Sequence, residues 1–294
     1  MSFRGIFPIM PTPFTAGGDV DTNSLKTLVA FMKRHEMDGM TVLGMMGEAP
    51  KLSEAEQDLV VETVVQAAEG LPVIVGTGAA STRLAIARSR RAAELGAAGF
   101  LVAPPPTKNE NAIFNYYREM GEALDKPIIL HDYPDVTGVV MSASLVARMR
   151  REIPRIDYIK LEEAPTGKKL TELLNAQASD IKVFGALGGT YCLEELRRGA
   201  IGIMTGFAYP EILKEIHDKH AAGDARGAED AFYKYVALIR YEFQPGLGLP
   251  LRKEIYRRRG AIADAYIRPP GPAIDEIHLA ELDNMLAYLG LDGA

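Results

Sequence analysis

Eight short runs of consecutive apolar residues recur along the chain, separated by amphipathic stretches. The runs are GIFPIM (5–10), GMTVLG (39–44), PVIVGTG (72–78), GFLVAP (99–104), PIILHD (127–132), DYIKLE (157–162), IKVFG (181–185) and AIGIMTG (200–206). Each is rich in Val, Ile or Leu and lacks the apolar–polar alternation of a half-solvated strand. Such runs mark strands buried on both faces, as in a parallel sheet. The stretches between them carry helix-start signals. Asp21–Thr22 precede LKTLVAFMKRH, and Ser53 precedes EAEQDLVVETVVQAA with Glu56 placed for a capping box. Ser81 precedes TRLAIARSRRAAELG, and Ser142 precedes ASLVARMRRE. Eight strands each followed by a helix, with no hairpin signal, predict an α/β fold of the TIM (β/α)8 barrel type. A doubly wound sheet has fewer strands and a glycine-rich first loop, whereas the first run here leads into PTPF.

Strand signals stop near residue 208, and residues 210–221, 224–241, 248–259 and 273–289 read as helices. The expected organisation is a barrel over 1–222 with a C-terminal helical extension, 223–294, of the same domain. A chain of 294 residues suits one barrel, and 47% hydrophobic residues supply a large core. A formal charge of −6 gives no basic footprint for nucleic acid or an anionic membrane. No stretch reaches the ~18 apolar residues of a spanning helix, and MSFRGIFPIMPTPF reads as a strand rather than a signal peptide. The single cysteine, Cys192, allows no internal disulfide, which fits a cytoplasmic protein. His217 and His220 lie three apart, but nothing nearby completes a metal site, so no metal is expected.

In such barrels chemistry gathers at the C-terminal ends of the strands. Lys160 lies inside the sixth run, between Ile159 and Leu161. Burial favours its neutral amine, which can attack a keto group. An ion pair with Glu162 or Glu163 is the alternative reading, and position alone does not separate the two. GMMGE (44–48) follows the second run, and its glycines let backbone N–H groups approach an anion. In LHDYPDVTG (130–138), His131 and Tyr133 share a strand face, and either can move protons. GGT (188–190) and MTG (204–206) end the last two strands with glycines that admit a ligand. No lysine or arginine accompanies them, so a non-phosphorylated substrate is expected.

Together these residues resemble the dihydrodipicolinate synthase / N-acetylneuraminate lyase family of class I aldolases and dehydratases. The markers are PTPF, the G-x-x-G-E turn followed by L-S-x-x-E (44–56), PVIVGTG, P-I-I-L-x-x-x-P (127–134), the strand-six lysine and GAIGIMTG. The resemblance implies that Lys160 forms an imine with a 2-keto acid and that no cofactor is needed. It implies that the amides of Met45, Met46 and Gly47 hold the carboxylate, with Glu48, Gly188 and Met204 at the substrate site. His131 or Tyr133 would shuttle protons, with Glu162 a supporting base. The partners implied are a small 2-keto acid and further copies of the chain in a homotetramer.

Departures from the pattern narrow the expectation. Met45 and Met46 stand where the synthase and the lyase carry Thr or Ser. His131 stands where both carry a tyrosine, and Val136 where the synthase carries an arginine for a second carboxylate. Pro105 and Pro106 replace the synthase's aromatic pair. The segment from Asp132–Pro134 through Lys160–Glu162 to Met204–Pro210 is closer in pattern to the 2-keto-3-deoxy-pentonate dehydratases. The expected activity is therefore dehydration or aldol chemistry on a 2-keto-3-deoxy sugar acid. The alternatives are condensation of pyruvate with aspartate semialdehyde, and a non-catalytic keto-acid-binding relative.

Overall fold

The computed structural model describes residues 2–176 and 180–291. The eight apolar runs form eight strands: β1 (Gly5–Ile6), β2 (Met40–Val42), β3 (Val73–Gly76), β4 (Gly99–Val102), β5 (Ile128–Asp132), β6 (Ile156–Leu161), β7 (Lys182–Gly185) and β8 (Gly202–Ile203). They pair in parallel in the order β1-β8-β7-β6-β5-β4-β3-β2. Beyond β1 the chain closes the barrel, because Ile9 bridges Thr41 and Met10 N donates to Thr41 O at 2.9 Å. At the β1–β8 seam the strands are so close that a Cβ on Gly202 would lie 1.9 Å from Gly5 O.

Successive side chains point to opposite sheet faces, and each strand therefore feeds two cores. Phe3, Phe7, Ile9, Ile74, Leu101, Ile129, Tyr158, Phe184 and Met204 fill the barrel interior. The alternate residues, such as Val75, Phe100, Ile159 and Leu161, pack outward beneath the helices. On β6 this alternation turns Tyr158 and Lys160 inward.

The surrounding helices are α1 (Thr22–Arg34), α2 (Glu54–Ala68), α3 (Thr82–Glu94), α4 (Glu110–Ala123), the one-turn α5 (Pro134–Thr137), α6 (Ala143–Glu152), α7 (Thr166–Asn175), α8 (Cys192–Arg197) and α9 (Pro210–Ala221). Asp21 accepts from the first amides of α1, and Ser142 from Leu145 N at 3.2 Å. Ser53 and Glu56 form the expected capping box on α2. Ser81 sits at the N-cap of α3 but makes no side-chain capping bond.

The C-terminal region adds α10 (Ala225–Glu242), α11 (Gly248–Arg258) and α12 (Glu276–Leu289). These helices share the outer core of the barrel, burying Phe232, Ile239, Leu251, Ile255 and Leu282 within it. Helix α11 turns back to the mouth. There Tyr256 OH donates to Phe207 O at 3.2 Å, and Arg259 donates to Ala208 O at 2.8 Å, both just beyond β8. No helix among the described residues is long and apolar enough to cross a membrane.

Candidate active site

Lys160 is the penultimate residue of β6, and the register pairs it with His131 on β5. Both point into the barrel and are 5% exposed. His131 Nε2 lies 3.1 Å from Lys160 Nζ and 2.9 Å from Glu162 Oε1. Lys160 Nζ donates to the same Glu162 oxygen. The three side chains therefore form one buried cluster. Burial, reinforced by the nearby Arg252 guanidinium, lowers the Lys160 ammonium to about 7. Burial also holds His131 well below its ordinary value, so the ring stays neutral. With a proton on Nε2 it donates to Glu162, and without one it accepts from Lys160. Both sequence readings of Lys160 thus describe it: the amine is easily deprotonated and it is paired, with Glu162 rather than Glu163. Glu163 instead accepts from Lys169 at 2.6 Å.

Residues 131–133 divide as strand alternation requires. Tyr133, at the end of β5, lines the cavity with its ring centroid 5.9 Å from that of His131. Asp132 faces outward beneath the helices, fully buried, and burial raises its carboxyl to about 7.

The cavity above Lys160 has a volume of about 690 Å³. Its floor is Lys160, Glu162 and Ile9, and its walls include Met45, Met46, Tyr133, Thr205 and Gly206. The turn after β2 forms one edge. Leu43 and Glu48 bracket it with left-handed backbone, φ 55° and 52°, a conformation non-glycine residues adopt at a cost. Thr12 of PTPF fixes the turn by donating to Gly47 O at 2.7 Å. Inside the turn Gly47 N donates to Gly44 O at 2.9 Å. Of the three amides expected to hold a carboxylate, that of Gly47 is already engaged within the turn, which leaves those of Met45 and Met46. Met45 and Met46 open the 3-10 turn (Met45–Gly47), where N–H groups lack an intrahelical acceptor. Met45 is half-exposed at the mouth, and Met46 is buried against Gly206.

Three further expected substrate contacts lie behind the wall. Glu48 is turned away and buried, accepting from Lys253 at 2.7 Å and Lys51 at 2.8 Å. It is drawn there because a buried carboxylate needs cationic partners. Gly188 backs the wall rather than forming it, since Phe243 packs where its Cβ would be. Its neighbours Leu187 and Thr190 line the cavity instead. Met204 is fully buried in the barrel interior, and the next two residues, Thr205 and Gly206, reach the ligand space.

The sequence reading missed the contribution of the C-terminal extension. Glu242 and Gln244, at and just beyond the end of α10, line the cavity together with Arg252 of α11. A cation is therefore present near the glycines of the last strand ends, although no nearby stretch of sequence supplied one. One signal was available. Leu251 and Ile255, like Arg252 and Tyr256, are spaced four apart, which places a charge beside the buried stripe of a helix.

Comparison with known proteins bears on the family and the fold. The model of the Dihydrodipicolinate synthetase family matches residues 2–288. The chain is 33% identical over 288 residues to the L-2-keto-3-deoxyarabonate dehydratase of Azospirillum brasilense, covering 95% of this chain and 92% of that one. It is 32% identical over 280 residues to the 4-hydroxy-tetrahydrodipicolinate synthase of Methanothrix thermoacetophila, covering 93% of each. The crystal structure of dihydrodipicolinate synthase from Rhodopseudomonas palustris superposes with a TM-score of 0.92 at 32% identity, covering 97% of both chains.

Proposed function

The chain belongs to the dihydrodipicolinate synthetase family and is a class I lyase, and from that premise we propose that Lys160 forms an imine with a 2-keto-3-deoxy sugar acid and dehydrates it. The observation that carries this reading is the Lys160–Glu162–His131 cluster at the cavity floor. The neutral amine adds to the C2 carbonyl, and loss of water leaves a protonated imine. That cation is an electron sink, so a C3 proton can pass to a base and leave an enamine. Glu162 is the base at hand, because its Oε1 lies beside the amine, and His131 holds that carboxylate in place. The enamine electrons then expel the C4 hydroxyl, which takes up the proton and leaves as water. Hydrolysis returns the amine and releases a 2-oxo acid poorer by one water.

Val136, where a synthase arginine would stand, lines the cavity with an apolar side chain and gives a second carboxylate no partner there. The dehydratase of A. brasilense, similar over nearly the whole chain, supports the same substrate class. A second reading, condensation of pyruvate with aspartate semialdehyde, is favoured by the synthase relative and by the R. palustris structure.

The test is to incubate the protein with pyruvate, reduce with borohydride and map the adduct by mass spectrometry. The expected adduct is on Lys160 and is absent from Lys160→Ala. An adduct elsewhere, or full turnover by Lys160→Ala, overturns the mechanism. A panel of 2-keto-3-deoxy acids, run beside pyruvate with aspartate semialdehyde, then separates dehydratase from synthase.

A further inference from the structure

Arg252 is 6% exposed and lines the cavity, yet its guanidinium is only partly satisfied. Its Nη1 donates to Met46 Sδ at 2.8 Å, a weak acceptor. Its Nε forms an ion pair with Glu242 Oε2 at 3.4 Å without hydrogen-bond geometry, and Nε and Nη2 have no hydrogen-bond partner among the described residues. Glu242 offsets the charge but not the donors, because one of its oxygens accepts from Ala208 N at 3.0 Å and the other has no hydrogen-bond partner among the described residues. A buried guanidinium left with free donors at a cavity wall is costly unless an anion completes it.

The position of Arg252 selects which anion. It touches Met46, one of the two residues whose N–H groups open the turn, while its neighbour Lys253 anchors Glu48 at the other end of that turn. We propose that Arg252 is the side-chain half of the 2-keto acid's carboxylate site, supplying the charge-assisted donors that Met45 and Met46 lack. The inference rests on the 2-keto acid reading above. The carboxylate lies between the Met45 and Met46 amides and the Arg252 guanidinium, which leaves C2 toward Lys160 and the hydroxylated chain toward Tyr133, Tyr191 and Gln244. A distal carboxylate or phosphate would instead extend toward that outer wall, away from the turn.

The test compares pyruvate with methyl pyruvate, whose ester carries no charge, by borohydride trapping on Lys160. Arg252→Gln should raise half-saturation by pyruvate about 10- to 100-fold more than that by methyl pyruvate, the loss of its charge beside Lys160 acting on both probes alike, with Arg252→Lys intermediate. An unchanged pyruvate value, or an equal loss for both probes, overturns the proposal. So does a defect confined to longer acids, which places Arg252 at a distal group. A second arm is independent of the imine. In Lys160→Ala, pyruvate binding is read by saturation-transfer NMR, and adding Arg252→Gln should abolish it. Binding that survives refutes the carboxylate role even if Lys160 proves not to form an imine.

Discussion

Burial and the Arg252 guanidinium both push the proton off Lys160. An ordinary lysine at pH 7 is neutral in roughly one molecule in three thousand, whereas one with a pKa of about 7 is half neutral. The amine must be neutral to attack, so the rate of trappable imine formation should rise with pH up to about 7 and level off above it. A profile still climbing steadily toward pH 10 refutes this account. Glu162 acts later. Glu162→Gln should still form the pyruvate adduct, but exchange of the C3 hydrogens in D2O, followed by NMR, should slow about 10²- to 10⁴-fold. Equal exchange in variant and parent moves the base to Tyr133. Lys160 was legible in the sequence because a charge inside an apolar strand is anomalous at short range. Arg252 was legible only as a charge beside the apolar stripe of α11, because RKEIYRRR otherwise reads as a solvated helix face and its burial depends on what α11 crosses.

At the scale of elements, α11 and the turn after β2 hold each other. Glu48 is buried in left-handed backbone and paired with Lys253, which also donates to Tyr266 O at 2.8 Å. Removing one member of such a pair leaves an under-compensated charge and costs about 3–5 kcal/mol. Lys253→Met should therefore lower the melting temperature by roughly 6–15 °C and weaken pyruvate trapping through the displaced turn. Pairing it with Glu48→Gln should recover part of the stability, because the stranded carboxylate is gone. A double variant no more stable than Lys253→Met refutes the coupling. The strands and capped helices were readable from periodicity and local start signals. The Glu48–Lys253 pair was not, since it joins residues 205 apart in sequence.

The whole molecule has one outer core, and the C-terminal helices are part of it. Phe232, Leu238, Ile239, Leu251, Ile255, Tyr256 and Leu282 are buried in that core. At about 1.5–3 kcal/mol each, their burial rivals the roughly 5–15 kcal/mol by which a whole domain is stable. A chain ending at Ala222 should therefore lack a cooperative thermal transition by circular dichroism and should aggregate. A soluble, cooperatively melting 1–222 fragment would show the barrel to be self-sufficient. The sequence by itself determined the eight parallel strands, the order of the helices and the lysine at a strand end, because those features are written in local periodicity and in residues a few positions apart. The tertiary structure alone decided that Glu48, Gly188 and Met204 stand behind the cavity wall, and that Gly47 spends its amide within the turn. It alone brought Glu242 and Arg252 to the mouth. Those outcomes depend on which distant segments the closing barrel and the returning α11 bring within hydrogen-bonding distance, and no local pattern encodes that.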